Sequence, residues 1–311
     1  MTSKLQVAGC ELQVSQDRAA GKTFNLQPPT SNRSPAFTLI ELLVVISIMG
    51  LLAALAVPAL KNLGKSNIQT SASRQLLDDV GRARQLAISQ HTTVFMVFVP
   101  TNFFSPAFIT GLNNIAAPDV RLTALTTMSN VLDKQLSGYS FLSLGKVGDQ
   151  PGQHQWHYLA TWQALPEGTF IAAGKYQFQN PATPILPLQN DYRIDNWRHS
   201  TAGNQVYPFT NALVPFPTEL SPPVWMPCLI FDSTGRLISE SDGINYHHAY
   251  IPLAQGTVSY GIDANKQPQV TLVPPGSIVE IPTGNSTNIS YNVIDVDPLT
   301  GRAKLLVHHI P

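Results

Sequence analysis

One apolar stretch near the N-terminus constrains this chain more than any other feature. Residues 37–60 contain a single ionisable side chain, that of Glu41, and they include Pro58. A helix of 24 residues at about 1.5 Å per residue matches a hydrocarbon core about 30 Å thick. We therefore predict a membrane-spanning helix here, with a kink at Pro58, because proline lacks a backbone donor and clashes with the preceding turn. A carboxylate in such a helix is costly, so Glu41 should have a partner.

The start of this stretch carries a specific motif. It reads Phe37-Thr38-Leu39-Ile40-Glu41-Leu42 and continues as an apolar run. This motif resembles the N-terminus of type IV pilins and of the pseudopilins of type II secretion. The resemblance implies that a prepilin peptidase cleaves between Ala36 and Phe37 and that the new amine of Phe37 is N-methylated. It also implies that Glu41 acts in assembly by neutralising the N-terminal amine of a neighbouring subunit.

One position departs from the family pattern. The family usually has glycine before the cleavage site, where this chain has Ala36. We therefore expect prepilin peptidase to cleave this chain more slowly, or not at all. The alternative interpretation of residues 37–60 is an ordinary signal anchor with a chance glutamate.

Composition points to a loop-rich β domain outside the cytoplasm, because only 12% of residues are charged while 25 are proline and 20 are glycine. Residues 37–311 carry 15 basic and 17 acidic residues. Such a balance gives no basic field, so nucleic acid is not an expected partner. Cys10 lies in the predicted leader, which leaves Cys228 alone in the processed chain. We expect Cys228 to be a small buried apolar residue.

The predicted fold class is α+β, with a long N-terminal helix packed on an antiparallel β-sheet domain, as in pilins. Four segments are predicted: a leader over 1–36, the membrane or filament-core helix over 37–60, an amphipathic continuation over 61–90, and a periplasmic β-rich domain over 91–311 with loop insertions near 101–155 and 172–225. The family resemblance places the chain in the inner membrane as a single-pass protein with its C-terminal domain in the periplasm.

The continuation over 61–90 has apolar residues mostly three to five positions apart, which predicts one buried stripe. Its members are Leu60, Leu63, Ile68, Ala72, Leu76, Val80, Ala83 and Ala87. The run over 92–99 is β-branched and aromatic and ends before Pro100, so it predicts the first strand. A short helix is predicted near 120–136. Further strands are predicted at 228–231, 236–238, 257–260, 269–273, 277–281, 291–296 and 303–307.

Three turn motifs refine the resemblance. They are Leu-Pro-Glu-Gly with Pro166 and Gly168, the hairpin from Phe231 to Gly235, and Thr-Gly-Arg with Gly301 and Arg302. Their order is similar to that of the H-type minor pseudopilins of type II secretion. The glycines suit the positive φ angles of tight turns, so their predicted role is structural.

No catalytic motif is present in the sequence, so we expect a structural subunit, with no enzyme activity, no cofactor and no metal. The pairs 247–248 and 308–309 are adjacent histidines, which point to opposite faces of a strand and cannot readily chelate one ion. Asp295 and Asp297 could share a face and are the weak calcium candidates.

The expected partners are prepilin peptidase, other pilin or pseudopilin subunits and the inner membrane. A minor subunit of a type IV pilus is one alternative. Another is a membrane-anchored β domain that binds polysaccharide or DNA, with Trp156, Tyr158 and Trp162 as candidate contacts.

Overall fold

The computed structural model describes residues 38–101, 106–149, 154–176, 207–238, 247–260, 277–285 and 291–308. The side chains of residues 55–67, 106, 291, 307 and 308 are outside this description. The predicted leader and the predicted strand 269–273 also lie outside it. The chain divides into two compact units, Met1–Ala56 and Val57–Pro311.

The N-terminal helix, α1, extends over Leu39–Gln90. The helix continues through Pro58, but the side chain of Pro58 lies outside the described part. The kink predicted at Pro58 stays a prediction. Within the first unit, the described side chains of α1 are those up to Ala54, and they are exposed.

Within the second unit, α1 presents the predicted apolar stripe to the β domain. Five of its members have no exposed surface: Ala72, Leu76, Val80, Ala83 and Ala87. The prediction is wrong for Ile68, which is 36% exposed and lies beyond the end of the packed stripe. Leu60 and Leu63 lie outside the described side chains. The spacing of three and four residues explains the result, because it keeps these side chains on one face of the helix.

The described strands form two antiparallel sheets. The first has the order β3-β2-β1-β7-β6, with β4 added to β2 and β8 to β7. Its strands are β1 (Val94–Phe98), β2 (Gly138–Leu144), β3 (Trp156–Tyr158), β4 (Gln163–Ala164), β6 (Thr210–Pro215), β7 (Pro223–Phe231) and β8 (Leu237–Ile238). The second has the order β10-β9-β11-β12, with β5 added to β9. Its strands are β5 (Thr169–Ile171), β9 (Ala249–Ser259), β10 (Ser277–Glu280), β11 (Tyr291–Val296) and β12 (Ala303–His308).

Both faces of the first sheet are buried. On β1, Val94, Met96 and Phe98 join the core under α1, while Phe95 and Val97 join a second core on the opposite face. A strand buried on both faces needs apolar residues at every position, which is why this run is continuously apolar and not alternating. The first core also contains residues of β9 and β11, so α1 packs on both sheets. The predicted α+β architecture is confirmed.

The second core is covered by helices from the predicted loop insertion at 101–155. Helix α2 covers Pro106–Asn113 and α3 covers Pro118–Val131, followed by a short 3-10 helix over Leu132–Lys134. Phe108, Leu112 and Met128 are their buried contacts. The short helix predicted near 120–136 is therefore confirmed, but the description of this segment as surface loops is wrong, because it also supplies β2, which lies in the interior of the sheet.

The second predicted insertion, 172–225, likewise contains regular structure and is not only a loop. It contains the 3-10 helix Ala173–Tyr176, strand β6 and the start of β7. Pro215 ends β6 and Pro223 begins β7, positions at which a strand tolerates proline. Because proline is rare in strands, these residues led to the prediction of loops. Cys228 lies buried on β7, as predicted, and its thiol is 3.4 Å from the carbonyl oxygen of Thr210.

Candidate functional site

The predicted processing residues, Ala36 and Phe37, lie outside the described residues. The described part of the motif begins at Thr38, immediately before α1. The Thr38 backbone N–H and hydroxyl donate to Glu41 Oε2 at 2.9 and 2.8 Å. The Glu41 backbone N–H donates to Thr38 Oγ1 at 3.3 Å. Thr38 and Glu41 thus form a reciprocal capping box, which satisfies donors that every helix leaves unpaired in its first turn.

The capping box defines what the Glu41 carboxylate can still do. Both bonds from Thr38 end on the same oxygen, Oε2, whereas an ionised carboxylate can accept about four hydrogen bonds. The side chain is exposed. Glu41 therefore holds the start of its own helix and keeps the capacity to accept from an ammonium group of another chain.

The first part of α1 carries large apolar side chains on all sides. Those between Leu39 and Leu52 are 42% to 82% exposed. A continuous apolar surface of this kind marks a segment that is buried by another protein or by lipid. Within the described residues, no helix is both long and apolar enough to cross a membrane. The side-chain description of the predicted 37–60 span stops at Ala54, and the span stays a prediction.

Two of the predicted turn motifs are built in the same way, each around one aspartate. Asp232 Oδ1 accepts the backbone N–H groups of Thr234 and Arg236 at 2.8 and 2.9 Å. Burial raises the pKa of Asp232, but the hydrogen bonds from Thr234 and Arg236 outweigh it and leave the pKa below its ordinary value. These bonds fix the turn between β7 and β8.

In the turn between β11 and β12, Asp297 Oδ1 accepts the backbone N–H groups of Leu299 and Thr300 at 3.0 and 2.8 Å. The hydrogen bond from the Thr300 backbone is the main cause that lowers the pKa of Asp297. Gly301 follows in the left-handed region, with φ of 62°. Arg302 ends the turn, and its carbonyl oxygen accepts the Asp297 N–H at 2.9 Å.

These two turns, which lie far apart in sequence, meet against α1. A Cβ added to Gly301 would lie 2.0 Å from the carbonyl oxygen of Gly235, so only glycine permits the approach. Arg84 of α1 donates from Nε to the Thr300 carbonyl oxygen at 2.6 Å, and the Leu237 N–H donates to the Pro298 carbonyl oxygen at 2.9 Å. The predicted glycine motifs thus join the two sheets and α1 at one point.

The remaining motif residues have local roles. Phe231 is fully buried in the core under α1. The Pro166 carbonyl oxygen accepts the Thr169 N–H at 3.1 Å, which closes the turn before β5. Gly168 has a φ of 87°, and its carbonyl oxygen accepts the Gly256 N–H at 3.0 Å.

The aromatic segment predicted as a possible contact surface divides into two parts. Trp156 packs edge-on against Phe95, with ring centroids 5.0 Å apart, and so belongs to the second core. Tyr158 donates its hydroxyl to the Pro215 carbonyl oxygen at 2.8 Å, and Trp162 donates Nε1–H to the Pro217 carbonyl oxygen at 3.0 Å. Tyr158 and Trp162 also line a groove, whereas Trp156 does not.

The weak metal candidates point to different partners. Asp295 is 3% exposed and contacts His248 Nδ1 at 2.7 Å and Lys304 Nζ at 3.2 Å. Asp297 Oδ1 accepts hydrogen bonds from its own turn. His247 stacks on Tyr207 with ring centroids 4.3 Å apart. Among the described residues, no group of three or more acidic, histidine or cysteine side chains has the arrangement of a metal site.

Comparison with known proteins bears on the N-terminal motif alone. Residues 31–57 match the model of the prokaryotic N-terminal methylation motif. The match supports a type IV pilin-like prepilin. It implies cleavage by prepilin peptidase, assembly with other pilin subunits and anchoring through the N-terminal helix. No curated protein and no solved structure matches the chain.

The sequence analysis did not predict two arrangements. The first, the capping box, could have been predicted, because Thr-x-x-Glu before an apolar run is its pattern. The second is a hydrogen-bond network at Tyr139, which could not have been predicted. The Tyr139 hydroxyl donates to Asp79 Oδ2 at 2.5 Å and accepts from Gln75 Nε2 at 2.8 Å. Burial, together with Asp79, raises the pKa of Tyr139. This network joins α1 to β2, and no sequence pattern links positions so far apart.

Proposed function

We propose that this protein is a minor pilin or pseudopilin, a structural subunit and not an enzyme. In this proposal, its N-terminal helix assembles into a filament after prepilin peptidase cleavage and N-methylation, and its β domain lies in the periplasm. The match of residues 31–57 to the N-terminal methylation motif carries the proposal. The exposed apolar surface of α1 between Leu39 and Leu52 supports it, because a helix that packs in a filament core needs such a surface.

Within this class, the type II secretion pseudopilus is the favoured assembly. The order of the three turn motifs supports it. The contact between the Gly235 and Gly301 turns gives two of these motifs a common structural role. Membership of a type IV pilus remains the alternative, and co-purification with the subunits of either filament distinguishes the two.

The first prediction concerns processing. We expect the protein purified from its native membrane to begin at N-methylated Phe37, as measured by intact mass and N-terminal sequencing. Ala36→Gly introduces the residue that is usual in the family, and it should raise the fraction of cleaved protein in a pulse-chase experiment. A chain that keeps its leader in both forms would mean a permanent anchor and would refute the proposal.

The second prediction separates the two roles of Glu41. Glu41→Gln removes the charge but keeps a side-chain acceptor for Thr38, whereas Glu41→Ala removes both. If the carboxylate neutralises a neighbour's amine, both variants should be processed and yet join the filament at least about tenfold less than wild type, because a buried unpaired ammonium is costly. Chemical crosslinking between subunits in intact membranes, followed by immunoblotting of the crosslinked products, measures this incorporation.

Thr38 supplies the matched control. Thr38→Ala weakens the cap, at a cost of about 1 kcal/mol, and leaves the Glu41 charge in place. We expect this variant to enter filaments close to the wild-type level. The opposite pattern, with Glu41→Gln normal and Thr38→Ala defective, would assign Glu41 a capping role alone.

A further inference from the structure

A groove of about 680 Å³ lies on the β domain, on the face of the first sheet that carries α2 and α3. Its lining comes from α3, from residues 158–162 and from residues 217–220. All of these belong to the second compact unit. The volume falls within the range of about 300–1,000 Å³ that is usual for ligand sites.

Two of the three segments that line the groove come from the predicted insertions. Helix α3 comes from the predicted insertion at 101–155, and residues 217–220 come from the one at 172–225. The aromatic segment 158–162 lies between them. The walls are held by hydrogen bonds, since the Tyr158 N–H donates to Glu219 Oε1 at 2.9 Å and the Trp162 indole donates to the Pro217 carbonyl oxygen at 3.0 Å. The groove is therefore preformed.

The surface of the groove is mainly apolar. Tyr158 and Trp162 contribute half-buried aromatic rings, and Leu220 contributes a side chain that is 70% exposed. A leucine exposed to this degree, next to aromatic rings in a concave surface, offers a surface that an apolar group of a ligand can cover.

The described charged residues of the groove have one sign. Asp119, in the first turn of α3, and Glu219 both line it, and among the described lining residues none is lysine or arginine. Among the described residues, the basic group beside Glu219 is His157, whose Nδ1 is 3.9 Å from Glu219 Oε2 and whose Nε2 is 3.1 Å from Asp149 Oδ2. An anionic ligand, such as DNA or an acidic polysaccharide, would be repelled, whereas a cation would be attracted by both carboxylates and by the aromatic rings.

We propose that this groove binds a peptide segment of a partner protein in which an arginine or lysine stands next to an apolar side chain. The apolar side chain covers Leu220 and the aromatic rings, and the cation lies between Asp119 and Glu219. This function is separate from filament assembly through α1, because all the described lining residues of the groove belong to the β domain.

The test uses the full-length protein in detergent micelles and fluorescein-labelled tetrapeptide amides of the form Gly-Arg-X-Phe, in which X varies over apolar residues. Fluorescence anisotropy measures binding. Matched peptides carry citrulline, which has the shape of arginine without its charge, or glutamate. We expect the arginine peptides to bind about tenfold more tightly than their citrulline counterparts and the glutamate peptides to bind least.

Two variants of the protein locate the effect. The double variant Asp119→Asn with Glu219→Gln keeps the size of both side chains and one acceptor oxygen on each, including one for the Tyr158 N–H. It should bring the arginine-to-citrulline ratio close to one. Leu220→Ser should weaken all the peptides about fivefold without lowering stability, because Leu220 is exposed in the free protein. Micelles without protein control for partitioning of the peptides.

The other outcomes overturn the proposal. Equal binding of arginine and citrulline peptides, no peptide binding at all, or a preference that survives the double variant would each exclude a cation site in this groove. Binding of a neutral oligosaccharide such as maltohexaose, unaffected by the charge substitutions and lost with Trp162→Ala, would make the groove a glycan site instead.

Discussion

Gly301→Ala is expected to destabilise the β domain by about 3–5 kcal/mol, one of the two largest effects that we predict. Gly301 has a φ of 62°, where a residue with a Cβ loses about 1–2 kcal/mol. The added Cβ would also lie 2.0 Å from the Gly235 carbonyl oxygen, a backbone atom that cannot rotate away. Relief of this clash requires the β11–β12 turn to move off the β7–β8 turn and off Arg84. The shift of the urea midpoint, followed by tryptophan fluorescence of the full-length protein, measures the effect.

Two other glycines are matched controls. Gly168 also has a positive φ, of 87°, but a Cβ there meets nothing within 4 Å, so Gly168→Ala should cost only about 1 kcal/mol. Gly81 lies in α1, and a Cβ there likewise meets nothing within 4 Å, so Gly81→Ala should stabilise the chain by about 1 kcal/mol. If Gly301→Ala and Gly168→Ala lower the free energy of unfolding equally, the contact between the two turns does not contribute to stability as proposed.

The features that could be predicted from the sequence were those with a local period or a fixed motif. The stripe from Ala72 to Ala87 follows from helical spacing, and the hairpin at Gly235 follows from turn chemistry. Both reflect only the preferences of neighbouring residues, which a sequence displays directly.

The features that could not be predicted depend on contacts between distant segments. Strand β2, which begins at Gly138, lay in a segment interpreted as loops, because its interior position comes from pairing with β1 and not from its own alternation. The groove at Trp162 is a similar case. The aromatic residues were noticed, but the two carboxylates that give the groove its charge lie in separate insertions, and only the fold brings them to one surface.

Buried Lys175 gives the second large effect, a change of stability with pH. The side chain is 1% exposed, and its Nζ donates to the Tyr207 carbonyl oxygen at 2.5 Å, with the Phe209 ring 4.9 Å away. Burial lowers the pKa of Lys175 to about 7 from an ordinary value of 10.5. Between these two values the unfolded chain binds a proton at this lysine that the folded chain does not bind. The free energy of unfolding must therefore rise with pH in this window, by up to about 1.4 kcal/mol per pH unit.

Lys175→Met tests this slope, because methionine has a similar length and no charge. The stability of wild type relative to the variant should increase by about 2.5 kcal/mol from pH 7.5 to pH 9.5. Other groups that titrate in this range cancel in the difference between the two proteins. The lost bond to the Tyr207 carbonyl oxygen adds a cost that does not depend on pH. Urea denaturation at several pH values measures the difference.

The control for Lys175→Met is Lys146→Met, at an exposed lysine of the same chain. A difference between wild type and Lys175→Met that stays constant over the whole window would mean that the folded protein keeps the ammonium charged. That result would require a carboxylate or bound anion beside Nζ, since an ammonium with only its described neighbours, the Tyr207 carbonyl oxygen and the Phe209 ring, is not stable in its charged form. The slope therefore reports directly on the surroundings of this amine in the folded protein.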